Sequence, residues 1–140
     1  MSGDLPSRGL IDTNIVIHLA ALDSDQLPDE MVVSAVTLAE LSAGPHHTDP
    51  RERARRMSVL QHVEATFGPL PFDGEAARAF GLVAAAVLAT GRGTRRRTVD
   101  LMTASIAHVH GLPLYTTNPT DFAGLTDLVT VEAVRRPELS

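Results

Sequence analysis

Leu10-Ile11-Asp12-Thr13-Asn14-Ile15-Val16-Ile17 sets an apolar pair, an acid, two polar residues and a second apolar run side by side. In an α/β domain this is the carboxyl end of a first strand turning directly into a first helix. Strand ends and helix starts converge at that edge of a parallel sheet, and ligands collect there. A carboxylate placed so early has few structural uses and several chemical ones. Asp12 is therefore the anchor, and the rest of the chain is read for what meets it.

The 140 residues, 44% of them apolar, suffice for one hydrophobic core. Four Phe, one Tyr and no Trp leave that core to Ala, Leu and Val. No apolar run approaches the length of a membrane span. Met1–Arg8 is polar and lacks the charged start and cleavage pattern of a signal peptide. The absence of cysteine excludes disulfides, zinc–thiolate sites and thiol catalysis, and a cytoplasmic location is the economical expectation. The net charge of −5 argues against a general nucleic-acid coat but not against a nuclease, which gathers carboxylates around metal and keeps its phosphate-binding charge local. Every basic residue is Arg, the side chain that pairs bidentately with phosphate or carboxylate.

Working outward, residues 9–12 read as a central strand and Thr13–Ala21 as a helix. A polar loop over 23–30 leads to a short β-branched strand, Met31-Val32-Val33. Ser34 caps a second helix reaching Leu41, with Thr37 at the third helical position and Gly44-Pro45 ending it. His46–Arg56 reads as a polar, basic connection and Met57–Phe67 as a helix with Leu60 and Val63 inward. Leu70-Pro71-Phe72 is a short extended piece. From about Glu75 to Thr90 runs an Ala-rich helix whose Phe80, Val83, Val87 and Leu88 form a core stripe. Arg92, Arg95, Arg96 and Arg97 occupy the following loop, which lacks any phosphate-cradling glycine motif. Thr98 is expected to cap the next helix, with Asp100 at its second position, where the helix dipole stabilises an anion. Leu101, Met102, Ile106 and Val109 point inward, and Gly111 stops the helix. Leu112–Thr116 and Leu128–Val131 are the last strands, and residues 132–140 a loose tail. His18, His46, His47, His108 and His110 read as surface or core-edge residues, not ligands. The alternation predicts a small, mostly parallel central sheet with helices on both faces.

Four acids hold comparable places in this plan: Asp12, Glu40, Asp100 and Asp121. With parallel neighbouring strands they meet at one sheet edge, where they would repel one another without a cation. Oxygen donors without His or Cys suit Mg2+ or Mn2+. Such sites act on phosphate esters with activated water as nucleophile. Glu40 on its own reads equally well as part of a solvated helix face.

The segments LIDTNIVIHL (10–19), VSAVTLAELSAG (33–44), TVDLMTASIAHVHGLPLYTTNPTDF (98–122) and LVTVEAV (128–134) resemble, in order and spacing, the PIN-domain ribonucleases, specifically the VapC toxins of bacterial type II toxin–antitoxin pairs. The resemblance implies a single PIN domain over 1–140, with 1–8 and 135–140 loosely ordered. It places the family's acids on Asp12, Glu40, Asp100 and Asp121: the three Asp chiefly holding Mg2+ or Mn2+, Glu40 assisting directly or through water. Asn14 and Thr116 become polar partners that orient a carboxylate, water or phosphate oxygen, and Asn118 a structural cap for Asp121. It further implies cleavage of structured RNA such as tRNA or rRNA, a homodimer, and silencing by a cognate VapB antitoxin. Thr117 stands where the family often has a basic residue, and Leu101-Met102-Thr103-Ala104 is bulkier than the usual version. Arg92, Arg95, Arg96 and Arg97 are the candidates for the RNA backbone. Two other readings stand beside this one. A catalytically inactive PIN-like domain would only bind a partner. A haloacid-dehalogenase-like phosphohydrolase would use Asp12 as nucleophile, but it wants a second Asp where Asn14 stands and a late Lys that is absent.

Overall fold

The computed structural model describes residues 8–43 and 49–137. Strands β1 (Arg8–Ile11), β2 (Glu30–Val32), β3 (Leu114–Thr116) and β4 (Val131–Ala133) form one sheet in the order β2-β1-β3-β4. All three pairings are parallel, with Leu10 opposite Val32 on one side and Leu114 on the other. Parallel strands this short are stable only when both faces are covered. Alternation along each strand divides the core accordingly. Leu10, Val32 and Leu114 face helices α4 (Gly74–Ala89) and α5 (Thr98–His110) through Val83, Val87, Leu101 and Ile106. Ile11, Val33 and Tyr115 face the opposite way, toward α1 (Thr13–Ile17), α2 (Ala35–Ala43) and α3 (Pro50–Thr66) through Ile15, Leu41 and Val63. This is the expected α/β arrangement, and among the described residues no helix is long and apolar enough to cross a membrane.

Several boundaries differ from those read in the sequence. The first helix ends at Ile17: the N–H of His18 bonds to the carbonyls of Asn14 and Val16, tightening the chain into a 3-10 turn over Leu19–Ala21. Helix α3 starts at Pro50 instead of Met57. Asp49 accepts from the Arg51 N–H at 3.0 Å, Pro50 takes a first-turn position where no N–H is needed, and Glu52 pairs with Arg55 and Arg56. The basic stretch is thus a solvated helical face. Thr98 is no cap. A 3-10 turn over Arg95–Arg97 runs straight into α5, so the Thr98 hydroxyl donates back to the Arg95 carbonyl and Asp100 falls at the third helical position. Leu88, expected in the core, is 58% exposed. The last strand lies at 131–133 rather than 128–131, and Val134, placed in the tail by the sequence reading, is buried with its N–H bonded to the Thr116 carbonyl. His46, His47 and the Gly44-Pro45 stop lie outside the described residues.

Candidate active site

Asp12 follows β1 immediately and is 6% exposed. It caps α1: Oδ1 accepts from the Thr13 N–H at 2.8 Å, while Oδ2 accepts the Thr116 hydroxyl at 3.0 Å. The carboxylate is therefore gripped between the ends of β1 and β3, with both oxygens engaged. Burial raises its pKa, the two hydrogen bonds oppose that rise, and the charge of Asp121 adds to it.

Thr13, which the sequence reading did not single out, ties α1 to α2. Its hydroxyl donates to Glu40 Oε1 at 2.5 Å and lies 2.9 Å from the hydroxyl of fully buried Thr37. One hydroxyl has one proton, so Thr37 donates to Thr13 and Thr13 to Glu40. The chain explains why Glu40, on an otherwise exposed stem, turns its carboxylate toward the sheet edge. Desolvation raises the Glu40 pKa against the Thr13 bond, with Asp12 adding a smaller push. The only signal in the sequence was adjacency to Asp12.

Asp100, in the first turn of α5, feels all of these charges. Its pKa is raised from 3.8 to about 6, first by desolvation, then by Asp12, Asp121 and Glu40 in turn, with Arg97 opposing. Four carboxylates thus lie within electrostatic reach at the C-terminal edge of the sheet. Asp121 sits in a 3-10 turn, Pro119–Phe122, directly after β3. Its N–H bonds to the Asn118 carbonyl, while the Asn118 side chain makes no cap. The expected capping role of Asn118 is therefore replaced: its N–H donates to the Thr116 hydroxyl and its Oδ1 accepts from Arg136. Among the described residues the Asn14 side chain makes no hydrogen bond to the acids; it lines a second cleft with His18, Thr117, Asn118, Arg136 and Pro137.

The arginine loop divides its labour. Arg97 donates to the Asp121 carbonyl at 2.9 Å and stands 3.8 Å from its carboxylate, and Arg92 donates to the Thr120 carbonyl at 3.1 Å. Both brace the turn that holds Asp121. Arg95 and Arg96 join them, with Asp100 and Asp121, around an open cleft of about 720 Å³.

The donors at this edge are carboxylate and hydroxyl oxygens, the chemistry of a hard divalent ion. Among the described residues no group of three or more His, Asp or Glu is arranged as around a metal ion. Like charges that raise one another's pKa favour separation until a cation compensates them. In donor type and charge the residues fit such an ion.

Fold and edge together define a parallel α/β domain with an acid cluster at the strand ends and arginines beside it. The family model described as PIN domain matches residues 10–128. Ribonuclease VapC5 of Mycobacterium tuberculosis is 34% identical over 134 residues, spanning 93% of this chain and 96% of that protein. In the crystal structure of VapBC-5, a toxin–antitoxin family member from Mycobacterium tuberculosis, a chain superposes with a TM-score of 0.79 at 35% identity, covering 94% of this chain and all of that one. VapBC-1 from nontypeable Haemophilus influenzae shares the fold at a TM-score of 0.70 and 22% identity, over 90% of this chain and 97% of its own. The chain belongs to the PIN-domain family and is homologous to its VapC ribonuclease toxins.

Proposed function

We propose that the chain is a metal-dependent endoribonuclease toxin that cleaves structured RNA, tRNA or rRNA, and is neutralised by a cognate antitoxin. The observation that carries this reading is the electrostatic coupling of Asp100 to Asp12, Asp121 and Glu40 beside an arginine-lined cleft. Carboxylates that pay such repulsion at one sheet edge are matched to a divalent cation. Asp12, Asp100 and Asp121 would hold Mg2+ or Mn2+, with Glu40 completing the set or orienting the attacking water. The ion would supply charge neutralisation at the phosphorus and activation of that water. Thr116 keeps Asp12 in one orientation, and the Thr37–Thr13 chain does the same for Glu40. Arg95 and Arg96, with Arg92 and Arg97 behind them, receive the RNA backbone. No side chain at the edge is a covalent nucleophile, so water attack leaves a 3′-hydroxyl and a 5′-phosphate. The antitoxin and the homodimer rest on the homology.

The test is cleavage of a panel of tRNA and rRNA stem-loops by antitoxin-free protein, with Mg2+ or Mn2+ and with chelator, beside Asp12→Asn. A discrete cut that needs both metal and Asp12 is the expected result, and undiminished cutting by the variant would sink the assignment. The second reading, a catalytically silent partner-binding domain, draws on the absence of a ready three-ligand arrangement among the described residues. A folded protein that takes up no divalent ion in a titration would favour it.

A further inference from the structure

We propose that the cleft formed by Asn14, His18, Thr117, Asn118 and Arg136 is a second binding site for the RNA backbone, with Arg136 as its phosphate-contacting cation. The inference rests on the nuclease reading and extends it to a position the sequence assigned to a loose tail.

The C-terminal segment is fastened across this part of the sheet at successive residues. Val134 N–H bonds to the Thr116 carbonyl at 2.8 Å, and Arg135 N–H bonds to Gln26 Oε1 at 2.8 Å. Arg136 then reaches Asn118 Oδ1. The two adjacent arginines differ in purpose. Arg135 lies 3.9 Å from the Asp23 carboxylate, whereas Arg136, among the described residues, pairs with no carboxylate and is held only by a neutral amide. A guanidinium aimed by an amide keeps its full charge for an anion.

Among the described residues, the cleft around it, about 270 Å³, is lined by no acid. It offers donors suited to phosphate oxygens: the guanidinium of Arg136, the amides of Asn14 and Asn118, the Thr117 hydroxyl and the His18 ring. Because Asn118 accepts through Oδ1, its amide nitrogen is the end left to donate. Position singles out a polyanion over a lone carboxylate. One loop serves both clefts, contributing Asp121 to the arginine-lined one and Thr117 and Asn118 to this one. Thr116, which grips Asp12, is also the acceptor for the Asn118 N–H. Two of the acids, Asp100 and Asp121, line the arginine cleft, and the loop that carries Asp121 also lines this one, so a single strand held at Arg95 and Arg96 has Arg136 as its next cationic contact along that loop.

The test uses the full chain in chelator, with a fluorescein-labelled 12-mer of oligouridine as probe and anisotropy read from 50 to 200 mM salt. Arg136→Gln is expected to weaken binding about fivefold to tenfold and to make the slope of log K against log salt shallower by about 0.7, the loss of one single-strand phosphate contact. Arg136→Lys should keep the slope. Thr117→Glu, which puts a carboxylate into the cleft without touching Arg136, should weaken binding further. Arg51→Gln on the far helix should change nothing, and circular dichroism controls for the fold of each variant. Unchanged affinity and slope in Arg136→Gln, or no binding by the wild type at 50 mM salt, overturns the inference. So does a variant that loses affinity for a hexaglutamate peptide and not for oligouridine, which would make the cleft a protein-binding site. The two readings separate cleanly. Binding that depends on Arg136 in a protein that cuts no RNA leaves the cleft and removes the nuclease. Cutting that depends on Asp12 but not on Arg136 does the reverse.

Discussion

Asp100→Asn should make the metal-free protein more stable. The raised pKa means that the folded state holds the Asp100 proton more tightly than the unfolded chain does. The stability this confers is fully present below the unfolded value of 3.8 and is lost as pH rises through about 6. At pH 8 the charged carboxylate is therefore a liability. A rise of about two pH units corresponds to about 3 kcal/mol for a fully buried group. Asp100 is partly exposed, so solvent screening reduces this to about 1.5 kcal/mol. The favourable alignment of its charge with the first turn of α5 offsets about 0.5 kcal/mol of that. Asn, of the same shape and uncharged, should then stabilise the fold by about 1 kcal/mol, a rise in Tm of about 4 °C for a chain of this size. The assay is thermal unfolding in chelator at half-unit steps from pH 4 to pH 8. The gain should hold down to about pH 6 and fade toward pH 4. Millimolar Mg2+ should reverse the order by stabilising the wild type more than the variant. A variant no more stable than wild type at pH 8 in chelator, or a gain independent of pH, would refute the argument that these acids stand in mutual repulsion.

Two further substitutions probe the scaffold. Thr13→Val removes the hydroxyl between Thr37 and Glu40, leaving buried Thr37 without its acceptor, and should cost about 1–2 kcal/mol in denaturant unfolding. The same change should raise the Glu40 pKa further in a carboxyl NMR titration, since it deletes the one bond that lowers it; a pKa that falls would contradict the hydrogen-bond chain. Gly9→Ala places a Cβ 2.4 Å from Tyr115 Cε1, on a ring with no exposed surface, and should cost about 2–3 kcal/mol. Combining it with Tyr115→Leu should recover part of the loss as a coupling energy; strict additivity would show that the ring is not what the methyl meets.

Local chemistry makes much of the architecture legible in the sequence. The apolar pair ahead of Asp12, the Ser34 cap, the Ala-rich run to Ala89 and Gly111 each write their structure into a few adjacent residues. The boundaries that moved are those where a cue had two uses. Asp49-Pro50 opens a helix as readily as it ends a loop, and three arginines before Thr98 formed a turn that displaced the cap. Leu88 kept helical spacing yet faces outward, because a stripe defines a face only when something packs over it.

The sequence by itself determined the order of strands and helices and which residues carry charge, since both depend on neighbours along the chain. It placed acids at the ends of elements that parallel pairing would align. Only the tertiary structure decided what those acids meet. Thr116 reaches Asp12 across 104 positions, Thr13 reaches Glu40 across 27, and Arg136 reaches Asn118 because β4 lies beside β3. Hydrogen bonds and Coulomb forces act over a few ångströms of space, whatever the distance along the chain. The sheet's pairing therefore settles the site's electrostatics, and no local pattern encodes it.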